Sequence, residues 1–343
     1  MPNKTVIIDE GVLTAKSIQS WGAQKLRILN NQMPENAFLP PVSYIWFMMA
    51  ISALKRIGVN KDDLILIARD KTKSFRKIFY KPYKAQRWEQ REEKSHIDWM
   101  YHYGIIDNFL DQLAESTNWH VIWLPKLFNG ADILFTEEGQ KYLNEDEFTN
   151  EELNCWYGIE ADDIIACASK YYSDREVIFV SIDCDLDQLC TRENTKFFTL
   201  TQKYKSGTGV YKLVDNGYQV LAKKIEKGDK GDNILPGVTD DNSEKAQNLR
   251  KLIIDLLNLP SWVEEECFKV FDNLPKKEID YSKLPFQNSL ARKFPQIYEK
   301  DKIITYEDSI KHFANKKKKI AKKSKEARER KKKEKEQLTM VGG

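Results

Sequence analysis

The chain has 343 residues, 41% of them hydrophobic and 31% charged, with 55 Lys+Arg against 52 Asp+Glu and a net charge of +3. That supplies a core for one large domain or two, and the longest apolar run, 44–54, falls short of the ~20 residues a membrane-spanning helix needs. Five cysteines with no CxxC pair, and an N-terminus without a basic-then-apolar leader, argue against a secreted disulfide scaffold or zinc ribbon and predict a reducing, cytoplasmic setting.

In chain order, the run 4–8 reads as a short apolar strand that ends on Asp9. A helix is predicted over 44–57, where Trp46, Phe47, Met48 and Met49 form a buried face. A second strand, 64–69, ends on Asp70. The stretch 71–94 then carries nine Lys/Arg interleaved with Phe75, Phe79, Tyr80, Tyr83 and Trp88. Cations track phosphates and aromatic faces stack on bases; alone the stretch reads better as an amphipathic helix with a solvated basic face, but it starts from Asp70, which belongs to the acidic pattern. Helix 97–116 and strand 120–124 follow.

A helix over 161–172 opens on Glu160-Ala161-Asp162-Asp163. Glu160 and Asp163 share one helix face, and acids in a first turn also suit the helix dipole. Strand 176–182 runs into Asp183 and Asp185, and 196–201 is a further strand. A helix over 219–227 leads to the tight turn Gly228-Asp229-Lys230-Gly231-Asp232-Asn233. The tail 316–336 has thirteen Lys/Arg and four Glu, a net of +9 against −6 for the rest. A basic tail on an acidic body suits a nucleic-acid partner. His96, His102, His120 and His312 show no ligand spacing.

Alternating buried strands and helices predict an α/β fold with a mainly parallel sheet flanked by helices. In such sheets the ligand site lies beyond the carboxyl ends of the strands, where Asp9, Asp70, Asp183 and Asp185 all stand. Crowded carboxylates repel and raise one another's pKa unless cations neutralise them. Divalent ions with oxygen ligands are the natural counter-charge.

These residues resemble the 5′-nuclease family: flap endonucleases, 5′→3′ exonuclease domains and phage 5′-nucleases. The likeness rests on Asp9; Asp70 with Phe75-Arg76 and Tyr83-Lys84-Ala85-Gln86-Arg87; Gly158-Ile159-Glu160-Ala161-Asp162-Asp163; Asp183-Cys184-Asp185-Leu186-Asp187-Gln188-Leu189; and Gly228-Asp229-Lys230-Gly231-Asp232-Asn233. The form Lys-Gly-Asp-Lys-x-Asp-Asn is similar to that of the RNase H/flap-type nucleases of T-even bacteriophages. Departures include Glu10 between Asp9 and Gly11, and Leu235 inserted after the turn.

The resemblance implies a PIN-like nuclease core over 1–215 with a helical arch at about 71–117, a helical DNA-binding region with a helix–turn–helix (H3TH) element over 216–315, and the basic tail 316–343. It implies Mg²⁺-dependent hydrolysis of phosphodiesters at 5′ ends, 5′ flaps and RNA primers, with Mn²⁺ as a substitute and a potassium ion at the turn. Metal ligands would be Asp9, Asp70, Glu160, Asp162, Asp163, Asp183, Asp185, Asp229 and Asp232. Lys84 and Arg87 would act at the scissile phosphate. Arg76, Tyr83, Lys84, Arg87, Lys230, Gly231 and Asn233 would touch nucleic acid. The partner would be flapped, nicked or RNA-primed duplex DNA, met by a monomer and recruited by a replication clamp or single-strand-binding protein. A PIN-type ribonuclease for single-stranded RNA and a non-catalytic DNA-binding protein remain as alternatives.

Overall fold

The computed structural model describes residues 4–60, 62–70, 73–85, 97–143, 148–200, 209–229, 232–234, 244–278, 280 and 283. Arg87, Lys230, Gly231 and the basic tail lie outside these, as does part of the expected arch.

β1 (Lys4–Asp9), β2 (Leu64–Ala68), β3 (Trp119–Ile122), β6 (Glu176–Ser181), β7 (Thr195–Thr199) and β8 (Val210–Lys212) form one sheet in the order β3-β2-β1-β6-β7-β8. All pairings are parallel except β7–β8. This is the mixed, mostly parallel sheet that the alternating pattern predicts. From β1 the chain builds outward through β2 to β3, then returns to add β6 on the other side. That reversal sets a switch point between β1 and β6, where adjacent crossovers leave on opposite faces and open a crevice at the strand ends.

The two-residue period of the strands divides the core. Ile7, Leu66, Phe179 and Phe197 face one apolar cluster; Val6, Ile8, Ile65, Ile67, Ile178, Val180 and Phe198 face the other. On the second face pack α1 (Glu10–Leu29), α2 (Val42–Ile57) and α4 (Trp99–Ser116), through Leu13, Ile18, Trp46, Phe47, Ile106 and Leu110. α2 ends on Gly58 at φ 73, a left-handed cap whose N–H bonds Leu54 O. On the first face pack α8 (Ala161–Tyr171) and two C-terminal helices, α10 (Glu244–Ile254) and α11 (Ser261–Asp272), through Ile164, Leu252, Val263 and Phe271. The result is a three-layer sandwich, and among the described residues no helix is long and apolar enough to cross a membrane.

Two differences from expectation have physical causes. Strand 120–124 breaks at Trp123, and Leu124 begins a separate antiparallel ribbon, β4 (Leu124–Asn129) with β5 (Trp156–Ile159). Helix α1 is absent from the sequence reading because Thr14, Ser17 and Gly22 share its buried face, which dilutes the apolar stripe. Between the ribbon's strands lie α5 (Gly130–Leu134), α6 (Glu137–Gln140) and α7 (Asn150–Asn154), and α3 (Arg76–Phe79) follows β2.

Phe179 is fully buried in the middle of the sheet. Phe179→Ala is expected to cost about 3–5 kcal/mol by lost burial and cavity formation, while Glu115→Ala on the exposed side of α4 stays within about 0.5 kcal/mol. Urea midpoints of the two variants check the difference.

Candidate metal centre

Asp9 is the last residue of β1 and the N-cap of α1, its Oδ1 accepting from Val12 N–H at 3.2 Å. Its Oδ2 accepts from Ser181 Oγ, the end of the adjacent β6, at 2.6 Å. Asp70 lies just past β2 on the other side. A Cβ placed on Gly11 would stand 3.7 Å from Asp9 Oδ1 and 3.9 Å from Asp70 Cβ, so both acids flank the first turn of α1. Asp183 follows β6 and caps the short 3₁₀ helix Cys184–Leu189, accepting from Asp185 N–H at 2.9 Å. Asp9, Asp70, Glu160, Asp162 and Asp183 line one cleft of about 750 Å³, with Lys16, Lys77 and Lys84 in the same wall.

The electrostatics of this cleft favour a cation. Burial pushes the Asp9 carboxyl up to about 6 against the bonds from Ser181 and Val12, and the charges of Asp183 and Asp70 add to the push. Burial also raises Asp162, helped by Asp183 and Asp9 and opposed by Lys84. Buried carboxylates whose charge is further opposed by their neighbours fit a divalent ion with oxygen ligands.

Beside the cleft is a second acidic group. Asp185, Asp229 and Asp232 each offer an oxygen, all within 4.8 Å of one another. The turn that carries the last two is closed by reciprocal backbone bonds between Asp229 and Ile234, 2.9 and 2.7 Å, with Asn233 left-handed at φ 60. Burial raises Asp185 to about 6, Asp183 and Asp229 add to the rise, and Lys224 opposes it. Glu160, Asp162, Asp185 and Asp232 also line a small cavity that adjoins this group.

Two expected ligands behave differently. Asp163 is fully buried, and both its oxygens accept from Arg76, Nη1 at 2.7 Å and Nη2 at 2.6 Å; its Oδ2 also takes the Glu160 N–H. It faces a guanidinium, not the cleft. Arg76, expected at nucleic acid, is only 1% exposed and turned inward, also bonding Leu252 O and Glu160 Oε2. The physical reason is a pairing distant in sequence: Ser74 and Phe75 bond to Gly158, the residue two before Glu160, so α3 starts against the head of α8.

Glu160 does line the cleft, but its oxygens are engaged. Oε2 accepts from Ser74, Tyr83 and Arg76, and Oε1 from Lys84 Nζ at 2.6 Å. Burial pushes its carboxyl up, yet Lys84 and Arg76 overcome burial and hold it down at about 2. Lys84 itself sits at φ 55 and is held charged, its burial outweighed by Glu160 with help from Asp162 and Asp70. Tyr83 is buried with its hydroxyl on Glu160, and Asn233 Nδ2 donates to Pro82 O.

Four contributors escape the sequence reading. Ser181 and Ser74 are ordinary strand and loop serines until their partners are known. Gln188 lies in the Asp183 motif without a role; it is fully buried and ties Asp185 O to Ile254 O and Leu256 N–H. Lys224, on α9 (Gly217–Lys227), reaches both Asp185 and Asp229.

No protein-family model matches the chain, and no curated protein matches it. Among solved structures it is similar to the T5 D15 protein co-crystallized with metal ions, at 19% identity and a TM-score of 0.42, over 87% of this chain and 100% of that one. A variant of the bacteriophage T5 D15 flap endonuclease, in a pseudo-enzyme-product complex with DNA and metal ions, matches at 18% identity and 0.42 over the same shares. T5 5′-exonuclease with bound zinc matches at 19% and 0.40, over 87% of this chain and 96% of that one. These are T5 proteins, not T-even ones.

Two outcomes follow from the charges. A carboxyl whose pKa is higher folded than unfolded destabilises the fold when it ionises. In chelator-treated protein the Asp9 and Asp185 carboxyls, raised to about 6, therefore add stability as pH falls from 7 to 5, whereas His120, held down at about 4 by burial, subtracts it in the same window, so the acids' share is read as the difference in slope between wild type and Asp9→Asn or Asp185→Asn. Glu160 has the opposite sign, but its contribution fades only below its ordinary value of 4.5, outside that window. Melting curves with and without saturating Mg²⁺ check this, because the ion should flatten the slope. Separately, Arg76→Met leaves the buried Asp163 without its counter-ion and takes one of two cations from Glu160, and is expected to cost about 3–5 kcal/mol; a stability like wild type in denaturant titrations would return Arg76 to the surface role.

Proposed function

We propose that this chain is a structure-specific 5′-nuclease, hydrolysing phosphodiesters at 5′ ends, 5′ flaps and RNA primers annealed to DNA by a two-metal-ion mechanism. The observation that carries the reading is the convergence of Asp9, Asp70, Glu160, Asp162 and Asp183, from four separate stretches of chain, on one cleft with lysines in its wall. A protein that only bound nucleic acid would gain nothing from gathering negative charge where phosphate must sit.

Asp9, Asp70, Asp162 and Asp183 would hold one divalent cation, and Asp185, Asp229 and Asp232 a second. Bound there, a pair of Mg²⁺ or Mn²⁺ ions supplies an activated water and neutralises charge on the phosphoryl oxygens and the leaving oxygen. The chain's own residues do the rest. Ser181 and Val12 N–H orient Asp9, while Gln188 fixes the 3₁₀ helix that carries Asp185. Glu160 acts through Lys84: it holds the ammonium charged and immobile at the cleft wall, where it can meet negative charge as it develops on a phosphate. Asp163 acts one step further out, keeping Arg76 and hence the α8 head in place. Arg87, Lys230, Gly231, Asn233 and the basic tail would grip the nucleic-acid backbone. Removal of replication primers is the role this activity suits, with DNA as partner and a clamp or single-strand-binding protein as recruiter.

Asp183→Asn is expected to lower Mg²⁺-dependent cleavage of a labelled 5′-flap by at least about a thousandfold while duplex binding stays within about threefold, because the loss falls on charge stabilised during reaction. Product mapping on a 5′-flap, an RNA-primed duplex and a plain RNA strand, each repeated with chelator, checks substrate and metal together. Cleavage of the plain RNA strand alone would favour a PIN-type ribonuclease, and cleavage that survives the chelator would remove the metal reading.

A further inference from the structure

The second acidic group already contains a cation of the protein's own. Lys224 Nζ forms ion pairs with Asp185 and, at 2.8 Å, with Asp229. These are two of the three carboxylates that converge within 4.8 Å. The lysine is four-fifths buried, its charge is reinforced by both acids against the effect of burial, and it projects from the last turn of α9 directly across the turn that carries Asp229. Resting on the metal-binding reading above, we propose that Lys224 is an exchangeable internal counter-ion: it neutralises the Asp185–Asp229–Asp232 position when no metal is there and must leave before a divalent cation can enter.

Shared ligands and like charge make the two occupants mutually exclusive. A divalent ion at this position needs oxygens of Asp185 and Asp229, the carboxylates the ammonium now engages. An ammonium and a dication held between the same two acids repel strongly in a partly buried site. A lysine stem has four rotatable carbons, and its head is a compact point charge that finds new partners readily. Glu160 and Lys84 present the contrast. Glu160 spends its remaining oxygen on Ser74, Tyr83 and Arg76, so that pair is locked, whereas among the described residues the Lys224 ammonium is held by Asp185 and Asp229, both of the candidate metal position. The two lysines therefore divide the labour: one is a fixed charge in the cleft, the other is displaced. Once displaced, the Lys224 ammonium would be free to meet a substrate phosphate, which would favour the loaded state. The second metal and the nucleic acid would then bind with positive coupling.

The full chain, stripped with chelator, is titrated with Mn²⁺ and followed by the electron paramagnetic resonance signal of the free ion. Wild type is expected to bind one ion tightly and a second weakly. Lys224→Met, of similar length and no charge, tightens the second by about tenfold or more and leaves the first unchanged, because the resident positive charge is gone. Lys224→Arg does not tighten the second, since the positive charge is kept and a guanidinium forks onto carboxylates at least as firmly. In wild type, reductive methylation of Lys224 read by mass spectrometry rises as Mg²⁺ is added, a measurement that needs no variant to fold. Equal second-ion affinity in wild type and Lys224→Met, or Lys224 methylation unmoved by saturating Mg²⁺, overturns the exchange. Failure of any variant or wild type to bind a second ion overturns the metal reading of this acidic group instead.

Discussion

Arg76 carries a full charge into a place only 1% open to solvent, and the position of every cleft acid on α8 depends on it. Its guanidinium forks onto Asp163, reaches Glu160 and closes on a carbonyl of α10. A buried cation is tolerable only when its donors are met and its charge is balanced; here two carboxylates and a carbonyl do both. The consequence is geometric. α3, the head of α8 and the end of α10 cannot separate without leaving bare charge in the core, so the acids that face the cleft inherit a rigid floor.

That floor divides the acids into two kinds. Asp163 and Glu160 are satisfied by the protein: their partners are cations and hydroxyls on neighbouring elements. Asp9 and Asp162 are buried beside Asp183, and burial first and the Asp183 charge second raise both pKa values; Asp185 is raised in the same way although Lys224 pairs with it. Proximity in sequence hides the division. Asp162 and Asp163 are adjacent, yet one faces the cleft and the other faces Arg76, because successive residues of a first helical turn point about a quarter-turn apart. A protein that keeps some carboxylates paired and others mutually repelling has placed its negative charge where an added cation gains most.

Much of this is readable from the chain alone. The strand-ending acids are visible because a parallel strand buried on both faces leaves a short apolar run, and a charged residue directly after it can only lie at the sheet edge. The helices at 44–57, 97–116 and 161–172 appear within two residues of α2, α4 and α8 because their apolar positions recur at helical spacing. What stays hidden is set by contacts distant in sequence. Arg76 sits among basic and aromatic residues that read as a solvated, phosphate-seeking face; only the pairing of Ser74 with Gly158 turns it inward. Lys224 reads as one more lysine on an amphipathic helix, and nothing local reports that the next turn folds Asp229 back beneath it. Strand β8, three residues long, has too little pattern to register.

One connection ties the two acidic groups to a single mechanical unit. The segment Tyr80–Lys84 and the turn around Asp232 are far apart in sequence but laced together: Lys84 N–H donates to Asp232 O at 3.1 Å, Tyr80 Oη to Asn233 O at 3.0 Å, and Asn233 Nδ2 to Pro82 O at 3.0 Å. Both Lys84 and Asn233 take left-handed backbone conformations at this contact, which non-glycine residues adopt at a cost and keep when their surroundings fix them. Lys84 in turn holds Glu160. A displacement of the turn therefore moves Asp232 and, through the backbone of Lys84, the ammonium at the cleft wall. The fixed cation and the second acidic group therefore cannot be positioned independently of each other.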